Sequence, residues 1–160
     1  MSFTITGLSA AEFAPLFALS DEELERRGAI RKTATSKPGF PCRVTLEDAE
    51  PGETVLLLNY ESHKAATPYR SAYAIYVRES AKESASFTDA LPPVFEGRPL
   101  ALRHFDAQGH LVGASLALDG DAKEKIETAF SDEKVAYIHA HNAAHGCFAA
   151  EVRRAQSLPV

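Results

Sequence analysis

Two cysteines are too few to staple this chain, and no apolar run is long enough to span a bilayer. Cys42 and Cys147 are therefore expected as reduced thiols in a cytoplasmic protein. The opening MSFTITGLSAAEF has no basic start, apolar run or cleavage signature, so no leader is expected. Positive charge is also short. Seventeen lysines and arginines face 22 acids, a net charge of −5, which leaves no basic field for a phosphate backbone. The small clusters at Arg26, Arg27, Arg31 and Lys32, and at Arg153 and Arg154, do not reverse this. Neither nucleic acid nor membrane is an expected partner. The glycines form no GxGxxG or P-loop spacing, and neither GxSxG, HExxH nor CxxC occurs.

What is present is the composition of a folded domain. Hydrophobic residues make up 45% and charged residues 24% of 160, enough to bury an ordinary core in one domain spanning residues 1–160. Phe3, Ile5 and Leu8 make a short apolar start. Ser9 with Glu12 and Ser20 with Glu23 are two capping-box patterns, with Pro15 between them and Gly28 as a stop, so two short helices or one kinked helix are expected. Residues 30–35 alternate weakly, as an edge strand would. Strands are expected over 53–60, 72–77, 100–105 and 110–118, one helical turn over 45–49, and a short helix from Ser86 to Leu91. Gly113 weakens its strand or marks a bulge. Ala122, Ile126, Ala129 and Phe130 give one helix an apolar face before a last hairpin, 135–142 and 147–153. Short connections imply antiparallel pairing. The fold class is α+β: an antiparallel or mixed sheet of about six strands, N-terminal helices, and one helix before the last hairpin.

The stretch VAYIHAHNAAHGCFAAEVRRA, from Val135 to Ala155, holds three of the six histidines and one cysteine within nine positions. Strand alternation puts Tyr137, His139 and His141 on one face. Two imidazoles one strand step apart can chelate a metal ion if one or two more ligands arrive from His145, His104, Cys147, Cys42 or Glu61. They can equally serve as hydrogen-bonding groups on a half-exposed sheet face. A regular hairpin pairs Asn142 with Cys147, His141 with Phe148 and His139 with Ala150. It places the histidines with Phe148 and Val152, and Cys147 on the other face with Asn142 and Glu151. Cys147 is then either a small buried hydrophobe or a nucleophile, and a nucleophile needs a nearby base, as His145 in His145-Gly-Cys147 could be, or a cation such as Arg43 or Arg103. Cys42 lies in a loop shaped by Pro38, Gly39 and Pro41, and the two thiols meeting as a redox pair is a further reading.

Arginine adds a third group. Arg43, Arg70, Arg78 and Arg103 lie in or beside strands and shaped loops, and Thr67-Pro-Tyr-Arg70 presents Tyr69 and Arg70 together. Arginine, tyrosine and histidine are what a small anionic ligand needs. Ion pairs with Glu47, Asp48, Glu53 and Glu79 are the structural alternative.

Several local patterns recur together: Pro41-Cys-Arg43, Leu46-Glu-Asp-Ala49, Gly52-Glu53, Leu56-Leu-Leu58, Thr67-Pro-Tyr-Arg70, Ile75-Tyr-Val-Arg78, Leu102-Arg103, His139-Ala-His-Asn142, Gly146-Cys147 and Arg154-Ala155. As a set they resemble a bacterial family of uncharacterised proteins, domain-of-unknown-function family 1203, over roughly Pro38 to Ala155. The resemblance implies a small soluble bacterial protein and no particular activity. Its pattern emphasises His139, His141, Asn142, Gly146 and Cys147, and leaves His145 outside.

Two readings follow. One is a small-molecule enzyme or ligand-binding domain for a small anionic ligand. Its catalytic candidates are His139, His141, Cys147 and Cys42, and its ligand-binding candidates are Arg103, Arg70, Tyr69, Arg43 and Asn142. No cofactor is expected in it, with a divalent metal on His139 and His141 as the alternative. The other is a non-catalytic interaction module that forms a homodimer.

Overall fold

The computed structural model describes residues 1–156. Nine strands form two antiparallel sheets, and the architecture is α+β. Strand β1 (Phe3–Thr6) is followed by α1 (Ala10–Phe13), a 3-10 turn (Ala14–Ala18) and α2 (Asp21–Arg26). Then come β2 (Ala29–Thr33), β3 (Thr54–His63), β4 (Ser71–Arg78) and β5 (Ser86–Thr88). A 3-10 turn (Pro93–Phe95) leads into β6 (Leu100–Phe105), β7 (Leu111–Ala117), α3 (Ala122–Phe130), β8 (Tyr137–Asn142) and β9 (Phe148–Arg154).

The larger sheet has six strands in the order β5-β1-β9-β8-β6-β7, and the smaller has three in the order β2-β3-β4. One face of the larger sheet buries Phe3, Ile5, Leu100, Leu102, Ile138, Ala140 and Val152 against Ile126 and Phe130 of α3. The smaller sheet packs Leu56, Ile75 and Val77 against Phe13 and Leu24 of the N-terminal helices, with Cys42 and Val44. Arg154 ties α3 to β9. Its guanidinium donates to the carbonyls of Phe130, Asp132 and Val135 at the end of that helix, where a cation meets the negative pole.

Local sequence explains most of these boundaries. Ser20 and Glu23 close both hydrogen bonds of a capping box at the start of α2, and Gly28 ends that turn at φ 72°. The Ser9 side chain makes no cap bond. Pro15 lacks a backbone donor, so the first helix stops at Phe13 and continues as a 3-10 turn. Two expected helical segments are overturned. Residues 86–88 form a strand rather than a helix, because β1 pairs with them through Thr4–Thr88 and Thr6–Ser86. Residues 45–49 do not coil into a helical turn. Leu46 takes φ 55° and buries its side chain in the core of the larger sheet.

The segment Pro41–Leu46 runs between the two sheets. The Arg43 backbone N–H donates to the Tyr76 carbonyl of β4, its carbonyl accepts from Leu8, and its guanidinium reaches the Phe148 carbonyl of β9. Gly7 admits this segment: a Cβ there would lie 2.0 Å from the Val44 carbonyl oxygen.

The last hairpin departs from the regular register. Ala140 faces Ala150 while His141 faces Phe148, so Ala149 is an inserted, bulged residue. His139 therefore pairs with Glu151, not Ala150. Glu151 moves to the histidine face, and Val152 turns into the core opposite Ile138. A second bulge at Val112 offsets β7 against β6 and leaves Gly113 opposite His104, where a Cβ would press on the imidazole at 2.9 Å.

Candidate functional site

Cys147 lies just before β9, on the wall of a cleft of about 530 Å³ between the sheets. The cleft is lined by Arg43, Arg98, Asn142, His145, Tyr73 and Tyr76, among others, and no carboxylate is among its lining residues. The Cys147 Sγ accepts from Arg43 Nη2 at 3.1 Å and from Asn142 Nδ2 at 3.3 Å. The other two hydrogen bonds of the Arg43 guanidinium go to neutral carbonyls, Nε to Phe148 at 2.7 Å and Nη1 to Pro41 at 2.6 Å. Only 2% of Arg43 is exposed, and among the described residues no carboxylate pairs with it. Burial pulls its pKa below the ordinary guanidinium value, and the nearby Cys147 sulfur works in the opposite direction. Arg98, at the cleft's other wall, is held by Asp48 at 2.7 and 2.9 Å. Burial pushes the Asp48 carboxyl up, but the bonds from Arg98 and the Gly39 N–H outweigh it and leave it below the usual range.

A second group, on one face of β8, is buried. His63 is stacked on Phe105 at 4.0 Å, and its ring contacts those of Tyr137 and His139. The Tyr69 carbonyl can only accept, so His63 Nδ1 carries the proton, and Nε2 accepts from the Tyr137 hydroxyl at 2.7 Å. His139 donates through Nε2 to Glu151 at 2.9 Å, leaving its Nδ1 buried without a partner. Burial pushes the His139 pKa down further than Glu151 raises it. Burial raises Glu151, and its bonds from His139 and Arg153 lower it further. The pair is thus a neutral imidazole against a carboxylate. His141 donates through Nδ1 to the Gly146 carbonyl at 2.9 Å. Burial, with Arg103, His139 and Arg43 nearby, pushes its pKa down to about 4.

The sequence candidates are thus divided. Arg43, Asn142 and Cys147 meet at one cleft, with His145 on its wall. His139 and His141 lie together on a buried face, with Arg103 opposite His139 on the neighbouring strand. Arg70 is exposed and paired with Glu61, and Tyr69 is exposed on the loop before β4. Cys42 is fully buried. Its sulfur accepts from the N–H groups of Thr45 and Arg78, and both cysteines are free thiols. Among the described residues, no three His, Cys, Asp or Glu side chains converge as they would around a metal ion.

Sequence reasoning passed over Arg98, Tyr73 and Tyr76. Arg98 stands between Gly97 and Pro99, the same Gly/Pro shaping that drew attention to Cys42. The tyrosines stand three positions apart in β4 and carried no signal beyond strand propensity.

The profile of a family described as "Protein of unknown function (DUF1203)" matches residues 39–154. The chain belongs to that family. The match begins within the loop that carries Arg43 and ends in β9, so it takes in Arg43, Arg98, Asn142 and Cys147 alike. It leaves out β1, the second strand of the larger sheet, β2, an edge strand of the smaller, and the helices α1 and α2 that pack on the smaller sheet. No curated protein and no solved structure matches the chain significantly. No helix among the described residues is long and apolar enough to cross a membrane.

Proposed function

We propose that this chain is a small-molecule enzyme or binding domain of the cytoplasm. Its working site is the Cys147 cleft, with Cys147 as nucleophile and Arg43 and Asn142 holding the sulfur. The carrying observation is the buried Arg43 guanidinium. A buried cation without a counter-charge is costly. Among the described residues, the side chain hydrogen-bonded to it that can supply that charge is Cys147 Sγ, and the thiolate is the nucleophilic form of cysteine. A cleft of this size suits a small ligand, and a lining with two arginines and no carboxylate favours an anionic one. The two free thiols are consistent with a reducing compartment.

Alkylation tests this. The cleft should favour iodoacetate, which is anionic, over neutral iodoacetamide. At Cys147 the ratio of the two rates is expected to exceed that of a cysteine in an unstructured peptide by about tenfold. A ratio equal to the peptide's, with slow reaction by both reagents, removes Cys147 as a nucleophile and the cleft as an anion site.

A specific observation favours a second reading, a homodimeric interaction module. Val112 and Leu116, on the edge strand β7, are 43% and 55% exposed, with Leu118 just beyond at 54%. An exposed apolar edge strand invites pairing with a second copy. Light scattering of the wild type and Leu116→Lys tests it: a dimer that the substitution splits supports this reading, and a wild-type monomer at high concentration ends it.

A further inference from the structure

Cys147 differs from the cysteine of a Cys–His pair in one respect that narrows its chemistry. A thiol activated by a base hydrogen-bonds to a group able to take its proton. The partners of Cys147 Sγ are a guanidinium and a carboxamide nitrogen. Both only donate, and neither can act as a base at neutral pH. His145 lines the cleft, but among the hydrogen bonds of the described residues none joins it to the sulfur. Two donors and no base at the sulfur suit chemistry in which the sulfur attacks without handing a proton to a protein group during the step. Acyl transfer relies on a base that later returns a proton to the leaving group. Attack on an O–O bond does not.

We infer that Cys147, used as the nucleophile proposed above, reduces a hydroperoxide and is returned to its thiol by a small carboxylate-bearing thiol bound in the same cleft. In the first step the sulfur electron pair attacks the terminal oxygen of R–O–O–H. An S–O bond forms, the O–O bond breaks, and the alkoxide or hydroxide leaves with the bonding pair to take a proton from water. Cysteine is oxidised to sulfenic acid and the peroxide is reduced. Arg43 Nη2 and Asn142 Nδ2 are placed beside the sulfur, where negative charge shifts onto oxygen. In the second step a thiol R′SH attacks the sulfenic sulfur, giving Cys147–S–S–R′ and water. A second R′SH releases the Cys147 thiol and R′S–SR′.

The need for an external thiol also comes from the fold. Cys42 is 0% exposed, its sulfur is held by two backbone N–H groups, and it does not line the cleft. It is not placed to resolve an oxidised Cys147. The room for an outside thiol is the 530 Å³ cleft, and the acid-free, arginine-bearing lining selects one that carries carboxylates.

The test uses the full chain at pH 7 with one equivalent of hydrogen peroxide, dimedone to trap sulfenic acid, and peptide mass spectrometry to tell the two cysteines apart. Cys147 is expected to form the dimedone adduct at least about tenfold faster than Cys42 or an unstructured peptide cysteine. Glutathione in place of dimedone should give a mixed disulfide on Cys147. Arg43→Lys removes a fork of buried bonds and can cost the fold. Asn142→Asp, which keeps the shape of a half-buried side chain while replacing the donor with an acceptor, carries the comparison and should slow oxidation about tenfold. Oxidation at the peptide's rate, or no slowing in Asn142→Asp, overturns the inference. An internal Cys42–Cys147 disulfide overturns the external-thiol step. If iodoacetate still alkylates Cys147 selectively while peroxide does not react, peroxide chemistry falls and the nucleophile reading stands. If both reagents are slow, both fall.

Discussion

Acid should destabilise this fold through His141 well before its carboxylates titrate. The imidazole is 4% exposed, and its pKa falls from the ordinary 6.5 to about 4. The cause is burial first; the Gly146 carbonyl opposes it, and the nearby Arg103, His139 and Arg43 add smaller effects in the same direction as burial. Above pH 6.5 both folded and unfolded states carry a neutral ring, and the contribution is fully present. As pH falls through 6.5 the unfolded ring takes up a proton that the folded one refuses, so stability drops until about pH 4. The whole fall is worth about 3.4 kcal/mol at 1.36 kcal/mol per pH unit, and about 2 kcal/mol of it comes between pH 7 and pH 5. His139 and His104, both lowered mainly by burial, add to the loss with the same sign. Urea denaturation of the wild type and His141→Gln at pH 7 and pH 5 isolates the His141 share. The variant starts less stable but should lose about 2 kcal/mol less over that interval. If the two proteins lose the same amount within about 0.5 kcal/mol, His141 protonates freely in the folded state, and the burial argument is wrong.

Other expectations follow from single contacts. Ser20→Ala removes an exposed cap that bonds the Glu23 N–H, and should cost about 1 kcal/mol in urea unfolding. Gly7→Ala drives a Cβ into the Val44 carbonyl and should cost about 3 kcal/mol, the top of the overpacking range, or block folding; a neutral result would mean that the 41–46 segment moves freely. Asp48→Ala strands Arg98 and should cost about 3 kcal/mol, the low end for a broken buried pair, because the Arg98 side chain keeps 19% exposure. Cys42 should resist a water-soluble disulfide reagent until urea unfolds the chain, whereas Cys147 reacts in the native state.

Much of the local structure was written in neighbouring residues. The Ser20–Glu23 box, the Gly28 stop and the apolar spacing of Ala122, Ile126, Ala129 and Phe130 each act within one or two turns, so α2 and α3 were legible without a fold. The hairpin of β6 and β7 was legible for the same reason, from alternation around Asp106–Gly109. Residues 86–88 were not: their conformation is set by pairing with β1, 80 to 84 positions away, and no local propensity encodes that. The separation of the histidine pair from Cys147 was readable from alternation alone. The assignment of Glu151 to a face was not. One bulged residue, Ala149, reverses every side chain beyond it, and bulges carry no spacing signature here.

The chain by itself therefore determined which residue types were available: a thiol, two strand histidines, and several arginines near turns. Only the tertiary structure decided which of them meet. Arg43 reaches Cys147 across 104 positions because the 41–46 segment threads between two sheets, and Arg98 joins them from a third loop. Arg103 and Arg43 looked equivalent as cations for the thiol. Burial separated them, because a guanidinium shut away from water without a carboxylate needs a counter-charge, and the fold places the sulfur of Cys147 within its reach.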